Sequence, residues 1–232
     1  ENEVQISIKK IGSWEKGMVL RILHIAIPSG IENGLFQFGR VIVVSIIALF
    51  GTTQIAANAV ANSLDSMGCI AGQAMNLAMI TVIGQCMGAG DKEQAIYYTK
   101  KLWKITYLIT ITVNSLILIS LPWLLKLYSL SAESYRYAYI LVMIHDGMAM
   151  LLWPTAFTMP NALRASGDVK FCMVVSVFSM FMFRILFSVF FAIGFGWGAI
   201  GVWIAMVLDW IFRAGVFTWR FLQGKWLEFK VI

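Results

Sequence analysis

Six apolar runs, each long enough to cross a bilayer, leave this chain little freedom in how it folds. They are Met18–Phe50, Thr53–Met87, Leu102–Leu127, Ser134–Leu163, Val169–Ile193 and Ile200–Leu222. A membrane-spanning helix needs about 20 residues and a spanning strand only about 10, so helices are the spans these runs suit. In lipid, backbone N–H and C=O groups must be satisfied within the segment, which an α-helix achieves. The expectation is an all-α, polytopic membrane protein with a six-transmembrane-helix bundle at residues 18–224. A cytoplasmic linker at 1–17 and a cytoplasmic tail at 225–232 would flank it. Composition agrees: 13% of residues are charged, against roughly 25% in soluble domains.

The net charge of +6 does not point to nucleic acid, because the bases do not form one patch. They sit in the connections, where they report topology. Lys9, Lys10, Lys16 and Arg21 precede the first run, and Lys92, Lys100, Lys101 and Lys104 follow the second. Arg164 and Lys170 separate the fourth and fifth; Arg220, Lys225 and Lys230 follow the sixth. Only Lys126 and Arg136 fall on the opposite side, while Arg40, Arg184 and Arg213 lie within spans. Both ends are therefore expected in the cytoplasm of a cell, with a bacterial plasma membrane as the setting. The polar start at Glu1 lacks the apolar core of a signal peptide and reads as a linker entering from something upstream.

An ionisable residue at lipid depth costs about 2.5–3.5 kcal/mol even on the lenient insertion scale, so it should face protein or water. Ile27–Arg40 (IPSGIENGLFQFGR) carries Glu32, Asn33, Gln37 and Arg40, with Ser29, on one broad helical face. That pattern reads as the wall of a solute or ion pathway; the alternative ties Glu32 to Arg40 or to a neighbouring helix. In the second run Asn58, Asn62, Asp65, Cys69, Gly72 and Asn76 recur at three- and four-residue steps. Such a stripe lines a cavity or glues helices together, and the charge of Asp65 favours the cavity. Asp146, beside His145, is the second acid of interest. Facing one cavity with Glu32, it would share protons or a sodium ion, since burial disfavours the charged carboxylate.

Asp209 and Arg213 stand four apart, the separation of an intrahelical ion pair that Arg184 could join. Pro28, Pro154 and Pro160 fall within runs and predict kinks. Gly88–Asp91 and Ala165–Asp168 each predict a glycine helix stop followed by an aspartate cap. Cys69, Cys86 and Cys172 show no pairing pattern, and His24 and His145 have no partners at ligand spacing, so no disulfide, metal or cofactor is expected. No nucleotide-binding or hydrolase motif stands in the sequence, and no enzyme activity is expected.

Five segments together resemble the multidrug and toxic compound extrusion (MATE) transporters. They are Ile27–Arg40, Gly51–Leu64 (GTTQIAANAVANSL), Gly84–Ala95 (GQCMGAGDKEQA), Leu163–Asp168 (LRASGD) and Gly198–Arg213 (GAIGVWIAMVLDWIFR). The resemblance implies twelve helices in two six-helix lobes around a central cavity, this chain being the C-terminal lobe. It implies efflux of drugs and other organic cations by antiport with protons or sodium, with alternating access, and a second lobe as partner. Many members carry a glutamate where this chain has Phe36, and sodium-coupled members an aspartate near Trp153. Glu32 and Asp146 stand one and two turns away, on the same faces. On this resemblance Glu32, Asn33, Gln37, Asn62, Asp65 and Asp146 are the coupling and cavity candidates, with Asp209 and Arg213 as a structural pair. The rival readings are a lipid-linked saccharide flippase of the wider superfamily, which a broad basic cavity would favour, and a membrane scaffold inactive alone.

Overall fold

A computed structural model describes residues 16–229. The proposed linker lies almost wholly outside the described residues, as does the end of the tail. Among the described residues, six helices are long and apolar enough to cross a membrane. Helix α1 is Lys16–Ala48, α2 Thr52–Gly88 and α3 Lys92–Lys126. Helix α4, Ala132–Trp153, passes through a π-helical turn at Pro154–Thr158 into α5, Met159–Ala165, as one span. Helix α6, Val169–Ser179, continues through π segments at Met180–Leu186 and Val189–Gly194, and α7 is Gly198–Leu222.

The third span starts ten residues before its apolar run. Asp91 accepts from Gln94 N at 2.9 Å and so starts the helix at Lys92, leaving the lysines on its first turns. Gly90 at φ +76° lets Asp91 N reach Cys86 O at 3.0 Å, closing α2. The parallel stop at Gly167, φ +100°, brings Asp168 N to Leu163 O at 3.0 Å. There the resemblance between the two turns ends. Asp168 makes no side-chain cap because Arg220 Nε donates to its Oδ2 at 2.7 Å, and a charged donor outcompetes a backbone N–H.

Helices α2, α3 and α4 pack as one group, α4 lies against α7, and α1 rests on α6. Burial is highest along the fourth and sixth spans, 50% and 56% of their apolar windows against 22–28% for the others, so those two form the centre. One apolar cluster joins Leu64, Leu121, Leu141 and Trp203; a second joins Met79, Ile83, Leu163, Phe217 and Trp226. Leu77, Leu108, Leu116, Trp123 and Leu151 are exposed, as apolar side chains facing lipid are. Close approach explains Gly72: a Cβ there would run into the Trp153 ring.

The expected kink at Pro154 takes the form of a π turn. Proline removes one ladder donor, and the wider turn absorbs the mismatch. The π segment at Met180–Leu186 carries no proline; it holds Arg184.

Candidate functional site

The polar side chains of α1 and α2 meet in a cleft floored by α4, α5 and α7. Two cavities lie along it. The first, about 340 Å³, is lined by Ser29, Glu32, Asn33 and Phe36 of α1, Asn76 of α2, and Asn161, Arg164 and Arg213 opposite. The second, about 250 Å³, is lined by Phe36 and Arg40, by Asn62, Asp65, Cys69 and Asn76, and by His145, Trp153, Arg184 and Trp210. Phe36, Asn76 and Phe157 belong to both, so the cavities adjoin.

Glu32 is buried and does not pair with Arg40. Its Oε1 takes a hydrogen bond from Arg164 Nη2, and Arg164 Nη1 donates to Asn161 Oδ1 at 2.8 Å. This ion pair ties α1 to α5 across the floor of the first cavity. Asn33 lines the same cavity and donates to Ser29 O at 2.9 Å. Gln37, expected as a liner, is exposed and lines neither cavity. Phe36 takes the inward direction, and the next residue lies about 100° further round the helix.

On α2, Asn62 lines the second cavity and donates to Asn58 O at 2.8 Å. Asn58 faces the core and accepts from Trp203 Nε1 at 3.0 Å. The stripe thus divides, glue toward one end and cavity wall toward the other.

Asp65 Oδ1 stands 2.8 Å from His145 Nε2 and takes the Cys69 thiol at 3.2 Å. The far side of the imidazole, Nδ1, stands 2.9 Å from Asp146 Oδ1. Asp146 and His145 are fully or almost fully buried near the middle of their span, while the Asp65 side chain keeps 23% exposure. His145 has no partner at ligand spacing along the chain, yet tertiary packing sets it between two carboxylates. Ligand atoms of the three residues lie within 4.8 Å of one another. With a proton in each N···O contact, the closed triad would carry two protons and one net negative charge. Trp203 and Trp210 meet the imidazole edge-on at 5.3 and 4.8 Å, walling it from lipid. Asp146 Oδ2 is buried without a hydrogen-bond partner among the described residues. Glu32 and Asp146 do not share a cavity: Glu32 lines the first, and Asp146 touches the second only through His145 and Asp65.

Asp209 is buried completely. It accepts from Arg213 Nε at 2.9 Å and from Ser179 Oγ, and Arg184 Nη1 stands 3.9 Å from its Oδ2. The guanidinium carbons of Arg184 and Arg213 lie 5.4 and 5.5 Å from the centre of the Phe36 ring. Arg184 approaches the Asp209–Arg213 pair as the sequence suggested, whereas Arg164 and His145 have partners that chain spacing did not disclose.

Residues 28–190 match the MatE family model. The chain is 25% identical over 211 residues to the probable multidrug resistance protein NorM of Thermotoga maritima, covering 91% of this chain and 45% of that protein. It is 24% identical over 233 residues to the uncharacterized transporter YisQ of Bacillus subtilis, covering 97% and 50%. The outward-facing structure of a multidrug resistance MATE family transporter superposes with a TM-score of 0.84 at 20% identity, over 97% of this chain and 50% of that one. The chain spans about half the length of the relatives it matches. A polar cleft set into one six-helix lobe, with a family match over most of the chain, leads to one conclusion: this chain belongs to the MatE family, whose members are multi-pass membrane transporters and not enzymes.

Proposed function

We propose that this chain is the C-terminal lobe of a two-lobe transporter that exports small amphiphilic compounds from the cell in exchange for protons. The second six-helix lobe closes the cleft between α1 and α2, and the protein sits in the plasma membrane with both ends of the lobe cytoplasmic. The distribution of lysine and arginine among the connections supports that orientation.

The observation that carries the reading is the Asp65–His145–Asp146 triad: a charged group kept at mid-span, walled by tryptophans, and opening to the second cavity through Asp65 and the edge of His145. Charge held at such depth is a functional device by default. With one proton in each of the two N···O contacts, a third proton is the natural cargo, and it neutralises the group. Neutralisation loosens the tie between α2 and α4, and a ligand that favours one packing of the lobe shifts the populations of the two access states. The multidrug resistance named for the Thermotoga maritima relative supports a small-molecule substrate. The organic-cation expectation came from the family resemblance; of the acids expected to line the cavity, Glu32 is engaged by Arg164. A lipid-linked saccharide flippase is the second reading, favoured by the arginines on the cavity walls.

The test is transport by the complete protein in proteoliposomes. An imposed proton gradient should drive dye accumulation, and His145→Ala and Asp146→Asn should abolish that drive while gradient-free exchange persists. Accumulation driven by sodium alone, unchanged in both variants, would overturn the assignment of the triad.

A further inference from the structure

The two cavities differ in how their charges are satisfied. In the first, Glu32 and Arg164 neutralise each other, and Arg213 is taken by Asp209. In the second, Arg40 is exposed on the wall and forms no salt bridge among the described residues. Arg184, on the same wall, reaches Asp209 only at 3.9 Å and otherwise donates to Met206 Sδ at 3.2 Å, a weak acceptor. Its Nε and the indole Nε1 of Trp210 are buried donors without acceptors among the described residues. Asp65 is the one acid on this wall, and its Oδ1 is already occupied by His145 and Cys69. With the triad counted as a single negative charge, Arg40 and Arg184 leave the wall positive by one.

Buried donors without acceptors are rare in folded proteins and call for a ligand or water to complete them. A guanidinium prefers a planar or tetrahedral oxyanion, which offers several acceptors at once. The remaining wall is part polar, with Asn62, Ser66, Gln73 and Asn76, and part aromatic, with Phe36, Trp153 and Phe157. Donor excess beside an apolar surface fits one class of molecule. We propose that the Arg40–Arg184 cavity binds an amphiphile through its anionic headgroup, a phosphate or carboxylate, with the apolar portion laid on Phe36, Trp153 and Phe157. This deepens the transport reading by naming the substrate class, but it stands on binding alone and needs no gradient. The π-helical path of Met180–Leu186 supports it, since such turns re-aim side chains at functional sites.

The test uses the complete protein in neutral maltoside micelles and two probes of equal chain length, dodecyl phosphate and dodecyltrimethylammonium, followed by calorimetry. Dodecyl phosphate should bind at least about tenfold tighter, and Arg184→Gln and Arg40→Gln should each weaken it by about tenfold or more, as loss of a charge-assisted hydrogen bond implies. Arg184→Lys should fall between, because it keeps the charge and loses the fork. The ammonium probe should be indifferent to all three. Arg40→Gln, at an exposed position, guards against misfolding of the Arg184 variants. Adding phosphatidic acid distinguishes the source: competition assigns a lipid headgroup, and no competition a soluble amphiphile. Equal or tighter binding of the ammonium, or phosphate binding unmoved by both glutamine variants, would overturn the proposal. Failure of proton-driven transport with this binding pattern intact would reject the coupling reading and leave the substrate class standing.

Discussion

Asparagine at Asp209 is the perturbation whose outcome the packing fixes most tightly. The carboxylate is fully buried and serves Arg213 at 2.9 Å, Ser179, and Arg184 at longer range. Asparagine preserves the volume and one acceptor but leaves two guanidiniums in the centre of the lobe with no counter-charge. Breaking a buried pair by removing one partner costs about 3–5 kcal/mol, and the surviving amide acceptor places this case near 3. For a chain of this size each kcal/mol moves the unfolding temperature by about 2–4 °C, so a fall of about 6–12 °C is expected. Thermal unfolding followed by a thiol-reactive dye measures it, because Cys86 and Cys172 are buried and become reactive only on opening, with the half-buried Cys69 setting the baseline. Arg213→Met should cost less, since Arg184 stands ready to take over Asp209 and no charge is stranded. A fall below about 2 °C for Asp209→Asn, equivalent to less than about 1 kcal/mol, would refute the reasoning by showing that water reaches and screens the pair.

Three further outcomes follow from particular contacts. Gly72→Ala drives a methyl into the Trp153 ring and should destabilise by about 1–3 kcal/mol, read in the same dye assay; Gly84→Ala, with open space at its Cβ, should lie within about 0.5 kcal/mol of wild type. If the complete protein exports drugs as proposed, Glu32→Gln and Arg164→Gln should each abolish resistance in an expressing host at normal membrane expression; wild-type resistance in either would remove this pair from transport. Gln54→Ala removes the acceptor that takes Ala199 N at 2.6 Å and should cost about 1–3 kcal/mol through an unsatisfied buried donor, detected as a lower unfolding temperature.

Much of the architecture was legible from the chain because the bilayer is a demanding solvent. It forces backbone satisfaction into each segment, so run length alone yields six helices, and the glycines at 90 and 167 mark where two of them stop. Asp209 and Arg213 could be paired on paper because the helix repeat sets four residues on one face. The same repeat made Gln37 look like a neighbour of Glu32, yet its position on a broad face could not say which edge turns inward.

What the sequence determined by itself was the membrane class, the helical spans and the presence of costly charges at lipid depth. Only the tertiary structure decided how those charges are matched. Glu32 meets Arg164 across 132 positions, and His145 draws Asp65 from another helix to 2.8 Å. Partners of this kind are chosen by how helices cross, and helix crossing depends on side-chain packing across several spans at once, which no local periodicity encodes.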